Sequence, residues 1–315
     1  MRALIIGAAG FVGRHLIRGL QKAGWDVAAT RMATETLDEN LPVYELDILD
    51  LDAVSRLIES FKPDCIFHLA AQSSVALSWK QPSLTVDVNI KGALNLLESI
   101  RSASVRPKTL LIGSGDEYGL AQKTEAKISE ETLLMPDNVY AASKVAQGML
   151  GQIYARAYGL DIVVVRAFNH IGPGQSDSFA LSSFCKQAAM IEAGLSEPVI
   201  RVGNLEAKRD FTDVRDIVTA YRLLAEKGES GTVYNVGSGK AVSISDMLGI
   251  ILSLSKVDIA VEQDPARMRP SDIPIVAADT SRLYTLTGWQ PQIPINITLS
   301  DTLLDWRTRV NSGER

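Results

Sequence analysis

Short apolar runs recur through the first half of the chain: Ala3-Leu4-Ile5-Ile6, Asp26-Val27-Ala28-Ala29, Val43-Tyr44-Glu45-Leu46, Cys65-Ile66-Phe67, Leu110-Leu111-Ile112 and Ile162-Val163-Val164-Val165. Between them, the segments Phe11 to Ala23, Leu51 to Phe61, Leu84 to Ile100 and Tyr140 to Tyr158 carry apolar residues at three- and four-residue spacing, the period of a helix with one buried stripe. The runs predict strands and the spaced segments helices. Their alternation as far as Arg166 predicts an α/β fold with a doubly wound, Rossmann-like parallel sheet, because strands covered on both faces read as continuous apolar runs. After Arg166 the rhythm breaks. Phe168 to Asn204 reads as loop with a helix from about Ser178 to Ala193, and Thr232-Val233-Tyr234-Asn235 reads as one more strand after a further helix. The rest, through Arg315, holds Pro265, Pro270, Pro274, Pro291 and Pro294 and predicts a smaller cap of short elements. The expected organisation is interleaved: residues 1–167 with about 210–237 in a nucleotide-binding domain, about 168–209 with 238–315 in a substrate-binding α/β domain.

Composition narrows the partners. A length of 315 residues suits one large domain or two smaller ones. Lys and Arg number 32 against 37 Asp and Glu, a net charge of −5, and no basic block offers a nucleic-acid backbone a face. Positive charge for an anionic ligand must therefore be local. Cys65 and Cys185 show no C-x-x-C spacing, which points away from a disulfide framework or zinc site and fits a reducing, cytoplasmic setting. His15, His68 and His170 show no metal-ligand spacing, so no metal is expected and packing is their expected role. The apolar opening from Ala3 to Gly13 is bounded by Arg2 and Arg14, too short to span a bilayer and without a cleavage-site pattern.

The first strand runs into Gly7-Ala8-Ala9-Gly10-Phe11-Val12-Gly13, which opens a helix. Glycines there let the backbone turn tightly and approach a pyrophosphate, whose charge meets the helix N-terminus. Placed on the first strand, this pattern predicts a dinucleotide, and the absence of a Gly-Lys-Ser/Thr step excludes a P-loop. The second strand ends at Thr30-Arg31, where NAD-binding chains place an acid for the ribose hydroxyls. A hydroxyl and a guanidinium suit a 2′-phosphate instead, favouring NADP(H) over NAD(H), unless Arg31 is merely a solvated surface residue. Asp47 and Ile48, beyond the third strand, are candidates to meet the adenine, with Asp50 the competing helix cap before Leu51.

Tyr140-Ala141-Ala142-Ser143-Lys144 sets a phenol and an ammonium four residues apart on one helical face. An ammonium beside a phenol is expected to lower its pKa and make Tyr140 a proton donor or acceptor. Ser114 follows the Leu110 to Ile112 strand, at the edge where open parallel sheets bind ligands, and can polarise a carbonyl oxygen together with Tyr140.

Gly7, Gly10 and Gly13, then His68-Leu69-Ala70-Ala71, Asn89, Ser114 four before Tyr118-Gly119, and Tyr140 with Lys144 resemble the extended short-chain dehydrogenase/reductases along the whole chain. Arg166-Ala167-Phe168-Asn169-His170-Ile171-Gly172-Pro173-Gly174, the segment Val202 to Asp216, and Arg269-Pro270-Ser271 are similar to the nucleotide-sugar members acting on GDP-mannose derivatives, above all the GDP-4-keto-6-deoxymannose reductases and their sister 4,6-dehydratases. The resemblance implies Ser114, Tyr140 and Lys144 as catalytic residues, with Asp116 among them. It also implies Gly7, Gly10, Phe11, Val12, Gly13, Arg31, Asp47, Ile48, Leu69, Ala70 and Ala71, with Tyr140 and Lys144, around the dinucleotide. A sugar nucleotide carries two charges on its diphosphate, for which Lys186, Arg209 and Arg269 are candidate cations and Asn169 a candidate amide. Each also reads as an ordinary surface or loop residue.

The dehydratases of this family carry Thr and then Glu two residues on, where this chain has Ser114 and Asp116. Asp is one methylene shorter, about 1.5 Å, enough to cost on the order of a hundredfold in a positioned proton transfer. No long arginine-bearing loop follows Arg31 either. Both departures favour NADPH-dependent reduction of a C4 ketone to the GDP-D-rhamnose type of product. The dehydratase is the alternative, followed by a sugar-nucleotide 4-epimerase and a non-catalytic dinucleotide sensor. The wide apolar faces of Leu84 to Ile100 and Tyr140 to Tyr158 predict a homodimer through a four-helix contact.

Overall fold

A computed structural model describes residues 1–37, 39–123, 127–267 and 275–313. The chain runs β1 (Arg2–Ile6), α1 (Phe11–Lys22), β2 (Asp26–Arg31), β3 (Val43–Glu45), α2 (Leu51–Phe61), β4 (Cys65–His68), α3 (Val75–Lys80), α4 (Pro82–Val86), a π-helical turn (Asp87–Lys91), α5 (Gly92–Ser102), β5 (Lys108–Ser114) and a 3-10 segment from Gly115. It continues α6 (Val139–Tyr158), β6 (Ile162–Ala167), β7 (Asn169–Ile171), α7 (Ala180–Glu192), β8 (Val199–Val202), β9 (Lys208–Asp213) and α8 (Val214–Lys227). Then come β10 (Val233–Val236), β11 (Ala241–Ser243), α9 (Ile244–Ser253), β12 (Ala260–Gln263), α10 (Ser281–Thr287) and α11 (Ile295–Asn311).

Seven strands form one parallel sheet in the order β10-β6-β5-β4-β1-β2-β3. The order reverses between β1 and β4, and a parallel sheet opens a ligand crevice at the carboxyl ends of its strands where that happens. Alternation along β1 sends Ala3 and Ile5 into the core under α1 and α8, while Leu4 and Ile6 enter the core under α2 and α5. The helices obey the same logic: α1 buries Gly13, Leu16, Ile17 and Leu20, and α2 buries Val54, Leu57, Ile58 and Phe61, each at three- and four-residue steps. Asp50 caps α2 through the amide of Ala53, as the competing reading had it, and Asn138 caps α6 through that of Ala141. A separate core joins α7, α9 and α11 to β8, beside a three-stranded sheet, β11-β9-β7, and the pair β12-β8.

Three expectations need correction. Leu84 to Ile100 is not one helix: a π-helical turn at Asp87–Lys91 separates α4 from α5. There Asn89 is drawn inward to hydrogen-bond Gln72 and the Ser143 hydroxyl. The stretch from Phe168 to Asn204 holds β7 and β8 besides its helix. The C-terminal part is not built of short elements alone, since α11 runs for 17 residues and buries Leu299, Leu303, Trp306 and Val310. The proline just before it, Pro294, is its N-cap rather than a breaker.

Candidate active site

The turn from β1 to α1 is compact. Gly7 adopts φ +84°, and a Cβ there would stand 2.5 Å from the Ala70 amide nitrogen, so the glycine lets the β1 and β4 ends approach each other. The Gly7 amide donates to the Thr30 hydroxyl at 3.1 Å, and the Ala8 amide to the Thr30 carbonyl at 2.9 Å. The Leu69 and Ala70 amides both donate to the Ile6 carbonyl. Gly10 differs: it is exposed, and a Cβ there would meet only the Gly7 carbonyl, at 3.7 Å. Protein packing does not demand a glycine at that point, whereas the close approach of an anion does. Gly10 is the N-cap of α1 without a side-chain cap, and no acid stands in the first turn that Phe11, Val12 and Gly13 begin. The open amides and the positive dipole end fit a dinucleotide pyrophosphate.

The candidates beyond this turn are placed as follows. The Arg31 guanidinium donates to the carbonyls of Met32 and Ala33 and lies 3.9 Å from Glu45. The Thr30 oxygen accepts from Gly7, so this hydroxyl is a stitch of the turn, a role the expectation of a phosphate ligand overlooked. Asp47 is exposed and folds back on the Leu49 amide. Ile48 is buried, and its side chain fills the space a Cβ on Gly92 would need. Ala71 follows the Leu69-Ala70 turn at the end of β4, half-buried.

At the carboxyl end of β5 the reactive groups meet. The Tyr140 phenol stands beside the Ser114 side chain, whose oxygen accepts the Asp116 amide at 3.1 Å. Glu117, fully buried, accepts the Ser114 amide at 2.8 Å and the Arg166 guanidinium at 2.9 Å. Arg166 reaches on to the Tyr118 hydroxyl, which donates to Asn235. Lys144 Nζ donates to the Ile112 carbonyl at 2.8 Å and to Gln147 Oε1 at 3.0 Å.

The electrostatics correct one expectation. Burial pushes the Tyr140 phenol up, well above its ordinary value, with the charges of Asp116 and then Glu117 adding to the effect and the Ser114 side chain opposing it. Lys144 does not make the phenol more acidic here, because its ammonium is turned to Ile112 and Gln147. Burial lowers Lys144 to about 8, against the opposing pull of Glu117. The pair thus presents a protonated phenol beside a serine hydroxyl, a donor set for a developing alkoxide.

Of the sugar-nucleotide candidates, Asn169 lies exposed on β7 and pairs with Phe211 of β9, two positions from Arg209, so these two share one small sheet. Arg209 is half-buried, with a guanidinium nitrogen on the Lys208 carbonyl. Lys186 of α7 is paired with Asp177 at 2.7 Å and stands over the Trp306 ring, whose other cation is Arg309. Arg269, with Pro270 and Ser271, lies outside the described residues. Glu117 and Gln147 went unnoticed in the sequence as site residues. A glutamine on the buried face of α6, three residues after Lys144, was the signal for the second; for Glu117 the neighbouring Asp116 hid it.

The segment from Arg209 to Asp216 has a structural part. Asp210 accepts the amides of Ser238, Gly239 and Ala278. Asp213 takes Arg215 and Thr298, and Asp216 the amides of Gln292 and Ile293. Among the described residues no group of three or more metal-ligating side chains stands together, and no helix is long and apolar enough to cross a membrane.

A seven-stranded parallel sheet, a glycine turn at its switch point, and Ser114, Tyr140 and Lys144 at the adjoining strand end define an extended short-chain dehydrogenase/reductase of the nucleotide-sugar type. More narrowly, the chain belongs to the GDP-mannose 4,6 dehydratase family, whose model matches residues 4–302. It is 37% identical over 310 residues to the GDP-6-deoxy-D-mannose reductase of Pseudomonas aeruginosa, covering 98% of each chain. It is 30% identical to GDP-mannose 4,6 dehydratase 2 of Arabidopsis thaliana, over 92% of this chain and 83% of that one. The solved structure of RMD from Pseudomonas aeruginosa complexed with NADPH superposes with a TM-score of 0.88 at 35% identity, over 98% of this chain and 99% of the other.

Proposed function

We propose that the chain reduces the C4 ketone of GDP-4-keto-6-deoxy-D-mannose to GDP-D-rhamnose, using NADPH. The observation that carries this reading is the placement of Ser114, at the carboxyl end of β5, beside a Tyr140 phenol that burial keeps protonated. Resemblance to the reductase over almost the full length of both chains supports the substrate, and the NADPH complex of the similar structure supports the cofactor. Gly7, Gly10, Phe11, Val12, Gly13, Arg31, Asp47, Ile48, Leu69, Ala70 and Ala71 would hold the dinucleotide, together with Tyr140 and Lys144. When bound, it supplies the hydride that reaches C4. Tyr140 gives its proton to the ketone oxygen, Ser114 steadies that oxygen, and Lys144 would hold the nicotinamide ribose. Asp116 orients the sugar. Asn169, Lys186, Arg209 and Arg269 would meet the GDP-sugar. Residues 1–167 with about 210–237 form the dinucleotide domain in this reading, and about 168–209 with 238–315 the substrate domain.

The same reading makes the protein a cytoplasmic homodimer, in keeping with its two buried, free cysteines. It is also in keeping with the exposed Met149 and Ile153 on α6 and Leu84 and Val86 on α4. Mixing protein, GDP-4-keto-6-deoxymannose and NADPH is expected to give stoichiometric loss of absorbance at the reduced nicotinamide band. Tyr140→Phe is expected to slow it by about a hundredfold or more. The second reading, a 4,6-dehydratase, rests on the resemblance to GDP-mannose 4,6 dehydratase 2 of Arabidopsis thaliana. It would take over if GDP-mannose with catalytic NADP gave a ketone and no net oxidation.

A further inference from the structure

Gln147 is fully buried on the α6 face that packs on β5. Its Oε1 accepts a proton from Lys144 Nζ at 3.0 Å, and its Nε2 donates at 3.1 Å to the Ile112 carbonyl, which Nζ itself reaches at 2.8 Å. The three groups close a triangle two residues before Ser114 on β5. Burying an ammonium is costly unless its protons are taken up, and here both acceptors are neutral oxygens.

We propose that Gln147 is a positioning residue for Lys144, clamping its ammonium to the Ile112 carbonyl through neutral acceptors so that the charge stands at a fixed place behind Ser114 and Tyr140. This rests on the reading of Tyr140 and Lys144 as the redox site. Near the ammonium stand Glu117 from the turn after β5 and His68 from β4; Tyr140 precedes Lys144 by one turn of α6, with Asp116 beside the phenol. His68 is neutral near pH 7, held at about 3 by burial. Asn89 of the π-helical turn, bonded to Ser143, brings no charge. Among the described residues Glu117 is thus the anion that raises Lys144, and burial outweighs it. A carboxylate in place of the Gln147 amide would change that balance, because an opposite charge within about 4–6 Å shifts a pKa by about 1–3 units.

The test follows the Lys144 side-chain signal of isotopically labelled protein through a pH titration, assigned with Lys144→Arg, in the wild type, Gln147→Glu and Gln147→Met. Beside it runs the alkaline limb of kcat/KM for ketone reduction. The expected result is a midpoint about one unit or more higher in Gln147→Glu and lower in Gln147→Met, with the limb moving in the same directions. A midpoint unchanged in either folded variant overturns the clamp, and Gln147→Met, which keeps the volume, decides alone if the glutamate prevents folding. A midpoint that moves in a protein without turnover leaves the clamp standing and the redox reading fallen. Turnover with an unmoved midpoint does the reverse.

Discussion

His68 ends β4 fully buried, with neither ring nitrogen hydrogen-bonded among the described residues. Burial, with a smaller push from Lys144, holds it at about 3, far below the 6.5 of an exposed histidine. As pH falls below about 6.5 the unfolded chain takes up a proton that the folded chain refuses, so stability falls with pH through that window. His15 and His170 are shifted the same way, and Glu117 and Asp210 the opposite way. The His68 share is therefore read by difference. Urea unfolding at pH 6.5 and about pH 5 should show wild type losing about 1.5 kcal/mol more than His68→Met; equal losses would refute the assignment. A packing role for this histidine was legible, since it followed an apolar run. The part played by Glu117 was not, because two adjacent acids look alike until the turn after Ser114 aims one at Arg166 and leaves the other near Tyr140.

The glycine turn between β1 and α1 was legible as an element, and the structure separates its glycines by what each is for. Gly7→Ala must place a Cβ against the Ala70 backbone at positive φ, a strain of about 1–3 kcal/mol before any clash. Gly10→Ala has room within the fold and should alter stability by no more than about 0.5 kcal/mol. It should nonetheless weaken dinucleotide binding by about tenfold or more, as the added methyl stands where the pyrophosphate approaches. Thermal unfolding together with fluorescence titration of NADPH separates the two, and an unweakened Gly10→Ala would count against this site. The break between α4 and α5 escaped prediction because the apolar spacing continues through it. Only the partners of Asn89, on the loop after β4 and on α6, make a widened turn worthwhile.

Across the whole molecule, the parallel sheet was legible because fully buried strands spell continuous apolar runs, as in β4 and β6. The later part was not, because its long-range ties run through carboxylates. Asp210, Asp213 and Asp216 sit within seven residues of β9 and α8, yet bind backbone or side chains at 238–239, 278, 292–293 and 298. No local pattern announces such pairings. The proposed dimer belongs to this scale as well. Met149 and Ile153 are 56% and 45% exposed on one side of α6, one turn apart, and a charge there should be excluded from an apolar helix contact. Sedimentation equilibrium is expected to find a dimer for the wild type and a monomer for the double variant Met149→Glu, Ile153→Glu, whereas a wild-type mass independent of concentration and equal to one chain would end the proposal.

Thr30 sets a limit on redesign. Its side chain receives the first amide of the glycine turn, so an acid installed there to recruit the other nicotinamide dinucleotide would disturb the cradle it was meant to retune. The neighbouring Arg31, tied among the described residues to nearby carbonyls and to Glu45 at 3.9 Å, is on the proposed reading the position at which an exchange of cofactor preference is expected to leave the glycine turn intact.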